Sequence, residues 1–251
     1  MSHLLASATW KTVQNTEYTV AVLPWGATEA HNYHLPYATD CIQADYVAAE
    51  AAKTAFARGA KVVVLPCIPF GVQTGQLDIK FCINMNPSTQ AALLADIVHS
   101  LEVQGIDKLL ILNGHGGNDF RQMIRELQAQ TRVFLCTANW YQCADRTKFF
   151  EESGDHADEL ETSVMLHIAP NLVRPLSEAG DGKQRTNRIT AMREGKVWSP
   201  RPWTKISADT GVGNPSKATQ EKGKAFLGAV IAYLANFLVE FANADTTNLY
   251  E

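Results

Sequence analysis

The stretch KLLILNGHGGNDFRQMIRELQAQ, residues 108–130, passes from an apolar run through a glycine-rich turn into a segment with a helical pattern. Its apolar run is near-continuous rather than alternating, which is typical of a strand buried on both faces of a parallel sheet. Three further runs of this kind occur in the chain, at residues 18–24, 61–69 and 132–140. Their recurrence favours a parallel sheet as the centre of the fold.

Helical segments lie between and after these apolar runs. We predict helices over residues 40–59, 86–105, 118–130, 156–169 and 216–243. Because strands and helices alternate, the sequence predicts a three-layer α/β/α sandwich with a mainly parallel central sheet. No linker divides the chain, so we expect residues 1–251 to form one domain. A polar, glycine- and proline-rich stretch at about 174–215 is predicted to be a long irregular loop with a role in function or in an interface.

Composition and charge exclude several classes of protein. The 22 lysine and arginine residues against 26 aspartate and glutamate residues give a net charge of −4, which offers no general attraction to nucleic acid or to an anionic membrane. The five cysteines are odd in number and form no C-x-x-C pair, which suits a reduced compartment. We see no signal-peptide pattern, and the apolar run at 226–242 contains Glu240 and looks too short and mixed to span a bilayer. We expect a soluble cytoplasmic protein.

Polar residues that can bind metals follow two of the predicted strands. The stretch LPWGATEAHNYHLPYATD, residues 23–40, contains Glu29, His31, His34 and Asp40, and His115 follows the strand at 108–114. In an extended segment Glu29 and His31 project to the same side, because they are two residues apart. Parallel pairing brings the loops after both strands to one edge of the sheet, where ligand sites form in open α/β sheets. The sequence therefore predicts that these groups converge.

The residue types indicate which metal such a site would bind. Glutamate, aspartate and histidine without cysteine suit Zn²⁺, Mn²⁺ or Fe²⁺ better than Mg²⁺ or Ca²⁺. Asp40 could bridge two ions through its two carboxylate oxygens, and such a pair, about 3.5–4 Å apart, polarises a carbonyl and activates a water. The structural alternative is a plain strand-to-helix turn with an incidental histidine. Glu29, His31, Asp40 and His115 taken together favour a metal site.

A third stretch, GDHADELETSVMLHIAP at 154–170, adds further candidates. On a helix Glu161 shares a stripe with apolar residues, and a carboxylate there is costly unless it is paired or bound to a metal. The same helical wheel predicts that Asp158 and Glu159 face solvent. His156, at the start of the helix, is a candidate general acid and base, with a simple first-turn position as the alternative.

The chain lacks the residues that other common binding and catalytic motifs require. The turn at 113–119 follows a strand and precedes a helix, as a dinucleotide-binding loop does, but Asp119 stands where the third glycine of G-x-G-x-x-G belongs. Neither a phosphate-binding loop nor the serine-hydrolase motif G-x-S-x-G occurs. Cys41, which could act as a nucleophile, is better interpreted as a small residue at a helix start. A non-catalytic nucleotide-binding module remains the alternative from another class.

Three ordered motifs resemble those of the creatininase (creatinine amidohydrolase) family. They are EAHNYHLPYATD at 29–40, NGHGGN at 113–118 and HADELETS at 156–163, and the run GVGNPSKATQEKG at 211–223 is also similar. The resemblance covers nearly the whole chain. It implies a three-layer α/β sandwich that assembles as a homo-oligomer, with a hexamer as the common state.

The resemblance also implies roles for particular residues. Glu29, His31, Asp40 and His115 would bind one or two divalent transition metal ions (Zn, Mn or Fe), with Asp40 bridging two ions. Glu161 would be a further ligand or a carboxylate that contacts the ligands, and His156 would transfer protons.

The chain departs from creatinine-hydrolysing members of that family. Those members resemble NGHYEN at the second motif, whereas this chain has Gly116 and Gly117 in place of the aromatic residue and the metal-binding glutamate. Glu161 is the candidate replacement ligand for a second ion; the alternative is a site that holds a single ion. Loss of the aromatic wall argues against creatinine as the substrate.

The sequence therefore predicts a metal-dependent amidohydrolase rather than creatininase itself. It would hydrolyse the C–N bond of a small cyclic amide or formamide through a metal-activated water. A metal-dependent ring-opening hydrolase of an oxidised sugar or inositol derivative is the alternative. The predicted substrate pocket contains His34, Gly116, Gly117 and Trp140, although His34 could instead only brace its loop. Tyr141, Trp198 and Trp203 could also form its walls, with oligomer packing as the alternative for these aromatic residues.

Overall fold

The structure is a computed structural model that describes residues 3–250. Its strands are β1 (Val20–Trp25), β2 (Val62–Val64), β3 (Lys108–Asn113), β4 (Phe134–Asn139), β5 (Gly154–His156) and β6 (Val212–Gly213). Its α-helices are α1 (Trp10–Val13), α2 (Thr39–Ala57), α3 (Pro87–Val103), α4 (Arg121–Gln128), α5 (Glu159–Ile168), α6 (Thr190–Arg193), α7 (Trp203–Ile206) and α8 (Gln220–Asn243).

The central sheet is parallel throughout. Its strand order is β2-β1-β3-β4, and the register places Trp25, Asn113 and Asn139 side by side at the carboxyl edge. All four predicted strands are confirmed, but β2 covers only a third of the predicted run at 61–69. Pro66 and Pro69 follow it, and proline has no N–H to donate to a sheet ladder. β5 and β6 form a separate antiparallel pair.

Helices cover both faces of the sheet, which confirms the predicted three layers. Val22 and Leu112 point into a core with α2, α5 and α8, whereas Leu23 and Ile111 point into a second core with α3 and α4. Neighbouring residues of one strand face opposite layers, so each strand must be apolar at every position. This burial on both faces explains why the apolar runs do not alternate.

The last helix, α8, supplies much of one core. By length and composition it is long and apolar enough to cross a membrane, contrary to the expectation from the sequence. Its apolar stripe, which includes Phe226, Val230, Leu234 and Leu238, is instead buried in the core that α8 shares with α2 and α5. Core packing therefore accounts for the apolar character of this helix.

The prediction that Asp158 and Glu159 face solvent is wrong, because both are fully buried. Asp158 caps α5 by accepting a hydrogen bond from the Glu161 backbone N–H at 3.1 Å, and it pairs with Arg146 at 2.6 Å. Glu159 pairs with Lys222 of α8 at 2.5 Å and accepts two backbone hydrogen bonds from the segment before β5. Partners from distant parts of the chain neutralise these carboxylates, and a helical wheel contains no information about them.

The segment 174–215 is largely irregular and is tied to the loop that carries His31. Asn32 donates a hydrogen bond to the Gly180 carbonyl at 3.1 Å and accepts one from the Gly180 N–H at 2.9 Å. The hydroxyl of Thr210 accepts a hydrogen bond from the Asn32 backbone N–H at 2.9 Å. These bonds hold the segment beside the carboxyl edge of the sheet.

Candidate metal centre

The carboxyl edge of the sheet gathers six candidate residues from four parts of the chain. Glu29 and His31 follow β1, Asp40 lies in the first turn of α2, His115 follows β3, and His156 and Glu161 come from β5 and α5. Five of the six are at least nine-tenths buried, and the Glu161 side chain is 15% exposed. Sequence reasoning placed the first four at one edge, and the structure also adds the two residues of the third motif.

One group of possible ligands consists of Glu29, Asp40 and His115. The Nδ1 atom of His115 lies 2.9 Å from Glu29 Oε1 and 3.1 Å from Asp40 Oδ2. The contact of Asp40 Oδ2 with this imidazole is an ion pair without good hydrogen-bond geometry. Two buried carboxylates that share one imidazole are incompletely satisfied, and a metal ion at this point would satisfy both.

A second group consists of His31, Asp40 and Glu161. His31 Nε2 lies 3.0 Å from Asp40 Oδ1 and 4.0 Å from Glu161 Oε2. The two oxygens of Asp40 therefore face different groups. This is the arrangement in which one carboxylate can bridge two ions.

Each of the three histidines is oriented by a backbone carbonyl. His31 Nδ1 lies 3.1 Å from the Glu29 carbonyl oxygen, His115 Nε2 lies 3.0 Å from that of Val72, and His156 Nε2 lies 2.8 Å from that of Ala30. Because a carbonyl oxygen only accepts hydrogen bonds, these nitrogens carry the proton. The opposite nitrogen of each ring faces the carboxylates, where it can bind a metal once any proton on it is displaced, as in metal sites whose histidines are fixed by a second hydrogen bond.

Mutual attraction shifts the pKa values of these buried groups. Burial alone would lower the pKa of His31, but the carboxylates of Asp40, Glu161 and Glu29 outweigh it and raise it to about 10. His115 responds in the same way to Glu29 and Asp40, and its pKa lies well above the usual value. The pKa values of Glu29 and Asp40 are lowered despite their burial, because the imidazoles favour the charged carboxylates.

His156 and Glu161 respond differently. Burial and the nearby His31 lower the pKa of His156, which favours its neutral form at pH 7. Burial raises the pKa of Glu161 to about 8, with repulsion from Asp40 and Asp158 adding to it and His31 opposing it. A cation beside Glu161 would reverse this effect and favour its ionised form. The residues present thus fit a divalent transition metal in donor type, in charge and in the grouping of three buried or largely buried carboxylates around two imidazoles.

We expect metal binding to release protons at a pH where free histidine would release none. In the metal-free protein the raised pKa of His31, about 10, keeps its imidazole protonated at pH 8, and a metal must displace that proton. Affinity for the metal should therefore fall as the pH is lowered. Calorimetric titration at pH 8 in buffers with different ionisation enthalpies should show at least one proton released per ion. Zero release would contradict this account of the site.

Gly117 lets His115 approach the backbone of Val72. A Cβ atom on Gly117 would lie 2.2 Å from the Val72 carbonyl oxygen and 2.5 Å from His115 Nε2, whereas a Cβ atom on Gly116 would meet nothing within 4 Å. Neither glycine has a positive φ. Close approach, rather than backbone freedom, explains Gly117.

Gly117→Ala is expected to displace the His115 ring and to lower metal affinity by about 10- to 100-fold, the usual effect of losing a hydrogen bond that orients a ligand. Gly116→Ala is the matched control and should keep the wild-type affinity. Competition with a chelator of known affinity measures both. Equal effects of the two substitutions would show that close packing at Gly117 does not hold the site.

Two cavities reach this cluster. One, of about 190 Å³, is lined by Glu29, His115, Gly116, Gly117 and His156 together with Gln73, Trp198, Arg201 and Trp203. The other, of about 380 Å³, reaches Asp40, Tyr141, His156 and Glu161. His156 lies between the two cavities, where it could exchange protons with a bound molecule. Of the predicted pocket residues, Gly116 and Gly117 line these cavities.

Two predicted pocket residues lie elsewhere. Trp140 is fully buried in the core beside Phe226, so its placement in the pocket is corrected, and its neighbour Tyr141 lines the cavity instead. His34 is fully buried and its Nε2 atom lies 2.8 Å from the Thr162 hydroxyl. It braces its loop against α5, which is the alternative that the sequence left open.

Sequence reasoning missed three residues of the site. Gln76 donates a hydrogen bond to Glu29 Oε2, and the amide of the buried Gln73 has no partner among the described residues although it lines the smaller cavity. Arg201 lines both cavities. The glutamines follow β2, so the rule that sites form after parallel strands could have found them. Nothing in the sequence singled out Arg201.

A parallel α/β sheet with a buried carboxylate–imidazole cluster at its carboxyl edge defines an α/β metalloenzyme. The family model of creatininase, described as creatinine amidohydrolase, matches residues 6–238, and the chain therefore belongs to this family. It is a metal-dependent hydrolase.

Relatives of known sequence or structure agree with this membership. The mycofactocin precursor peptide peptidase of Mycobacterium tuberculosis is 29% identical over 237 residues, which cover 90% of this chain and 87% of the relative. That of Mycobacterium ulcerans is 28% identical over 218 residues, 84% of this chain and 80% of the relative. A Bacteroides fragilis protein described as a candidate creatinine amidohydrolase is 46% identical, with a TM-score of 0.94 and coverage of 100% of this chain and 99% of that chain.

Creatininase itself is a more distant likeness. Its manganese form is 21% identical, with a TM-score of 0.79 and coverage of 97% of this chain and 100% of that chain. At this identity the likeness shows the fold alone. The chain is a member of the family rather than creatininase, in agreement with the prediction from NGHGGN.

Proposed function

We propose that the protein is a metal-dependent amidohydrolase that hydrolyses a C–N bond in a small cyclic amide or a formamide. The observation that carries this proposal is the Asp40 carboxylate, whose two oxygens face two separate groups of possible ligands at the end of a substrate-sized cavity. We assign Glu29, Asp40 and His115 to one ion and His31, Asp40 and Glu161 to a second. Zn²⁺, Mn²⁺ and Fe²⁺ all suit these donors.

Different residues of the chain would perform different parts of the reaction. A bound divalent cation would supply Lewis acidity, which polarises the substrate carbonyl and lowers the pKa of a water molecule. His156 is neutral at pH 7, and its free Nδ1 atom accepts the proton that water loses and returns it to the departing nitrogen. The hydrogen bond from its Nε2 atom to the Ala30 carbonyl keeps Nδ1 directed into the site.

Other side chains position the substrate and limit the access of water. Gln73 lines the smaller cavity, and its buried amide, which has no partner among the described residues, offers the donor and the acceptor that match an amide group. Trp203 lies edge-on to His156 with ring centroids 4.7 Å apart and covers that side of the imidazole. Water excluded from this space strengthens the electrostatic interactions within it.

A peptide bond is the second candidate for the scissile bond. The curated relatives are named as peptidases that act on a precursor peptide, and their similarity extends over at least four-fifths of this chain. A peptide would present the same carbonyl and leaving nitrogen to the site. The ring-opening of an oxidised sugar or inositol derivative, also compatible with this cluster, has no such observation in its favour.

The setting of the enzyme is also proposed. We propose a single hydrolase domain in the cytoplasm that assembles as a homo-oligomer, with a hexamer as the state implied by resemblance. The net charge of −4 and the reduced cysteines agree with this setting.

A substrate screen tests the proposed function. Protein stripped of metal and then restored with Zn²⁺, Mn²⁺ or Fe²⁺ is incubated with lactams, N-formyl compounds, short peptides and keto-sugars. We expect a new amine to be released from an amide, with activity lost on chelation and regained on metal addition. Turnover of keto-sugars alone would assign the ring-opening reaction, and amide turnover that survives chelation would contradict the proposal.

A further inference from the structure

A third cavity, of about 680 Å³, lies within the segment 174–215. Cationic side chains dominate its walls: Arg185, Arg188, Arg193, Arg201 and Lys205. Asp155 is the one carboxylate among its lining residues. We call this space the arginine cavity. This cluster of positive charge contrasts with the net charge of −4 of the whole chain.

The cations of the arginine cavity are largely unneutralised. Asp155 is committed to Arg201, whose Nη1 atom lies 2.9 and 3.2 Å from its two oxygens. Among residues 3–250, none of the other four cations forms an ion pair with a carboxylate. These four side chains are exposed, so solvent screens their mutual repulsion, and they are available to pair with a bound anion.

The arginine cavity adjoins the smaller cavity at the metal centre, and the two share part of their walls. Asp155, Trp198, Pro200 and Arg201 line both this space and the smaller cavity that contains Glu29, His115 and His156. The Arg201 guanidinium lies 4.7 Å from the centroid of the Trp203 ring, which in turn contacts His156. Arg201 thus stands at the boundary between the metal centre and the arginine cavity, where both spaces contact it.

We propose that the substrate carries an oxyanion, a carboxylate or a phosphate, at the end remote from the scissile bond, and that the arginine cavity binds this group. Arg185 and Arg188 provide planar guanidinium donors, which pair with such groups through two parallel hydrogen bonds. The position of the scissile bond in this account rests on the proposed function.

Binding measurements test this inference without requiring turnover. Metal-loaded full-length protein is titrated calorimetrically with glutarate, with its uncharged counterpart glutaramide and with glycerol phosphate. We expect an anionic probe to bind at least about tenfold more tightly than glutaramide, as charge-assisted hydrogen bonds provide. Glycerol phosphate binding more tightly than glutarate would identify phosphate as the group, and the reverse order would identify carboxylate.

The variant Arg185→Gln/Arg188→Gln should lose this preference. The control Arg125→Gln/Lys224→Gln removes the same charge from exposed helix positions and should keep it. An anion held only by the metal ions would bind both variants equally, and that result would overturn the inference. So would unchanged binding accompanied by a changed oligomeric mass in the first variant, because the cations would then belong to a subunit interface. Absence of amide hydrolysis in wild-type protein would count against the proposed function instead.

Discussion

Replacement of His156 by glutamine is expected to lower kcat by about 10²- to 10⁴-fold, the contribution of a positioned general acid and base. The imidazole is buried, neutral at pH 7 and held by the Ala30 carbonyl, so glutamine can replace its hydrogen bond but cannot carry a proton. The metal content of the variant should equal that of the wild type. Steady-state kinetics on an amide found in the screen, together with elemental analysis, measures both quantities.

The control for this substitution is His34→Gln, which alters another buried histidine that lines neither cavity at the metal centre. It should leave kcat within a few-fold of the wild type if the protein remains folded. His156 also lies near Glu29 and His31 in a third possible ligand group, with its Nδ1 atom 3.6 Å from Glu29 Oε1. If the His156→Gln variant loses metal in proportion to its loss of activity, His156 is a metal ligand and its assignment as the proton carrier is wrong.

Glu161→Gln and Glu159→Gln are the same change at two positions of one helix. The first should lower the metal content, and the second should lower the stability. Glu161→Gln should remove one of two ions, because it deletes the carboxylate that faces His31 and Asp40. Glu159→Gln should leave the metal count unchanged and lower the free energy of unfolding by about 2 kcal/mol, because Lys222 and two backbone N–H groups lose a charged acceptor.

Elemental analysis and thermal unfolding of the same two preparations distinguish these effects. If both variants lose metal equally, or if neither loses any, Glu161 is not a specific ligand. The account would then reduce to a single ion between Glu29, Asp40 and His115.

The sequence predicted the layers of the fold because they depend on local patterns. Strands such as β3 are buried on both faces, so their apolar runs are continuous and easy to recognise. The exact ends of the strands could not be predicted from the apolar pattern, because other residues, such as the prolines that end β2, determine them. The solvent-facing assignment of Glu159 failed because its partner Lys222 lies 63 residues further along the chain.

The predicted part of the site follows from one topological rule. Parallel strands end at the same edge, so residues after β1 and β3 had to meet, and the motifs supplied the chemistry. Trp140 was misplaced because a residue that ends a strand can turn either toward the pocket or into the core, and sequence alone does not decide. Gln73 was missed because the same rule was not applied to β2, whereas Arg201 was missed because its significance depends on contacts made in three dimensions.

Anomalous X-ray diffraction from crystals of the metal-loaded protein tests the central claim most directly, because it locates each transition metal ion and its ligands. We expect two ions per chain, about 3.5–4 Å apart, with the Asp40 carboxylate between them. Glu29 and His115 should bind one ion, and His31 and Glu161 the other. A protein without stoichiometric transition metal, or with its ions bound away from Asp40, would contradict the account.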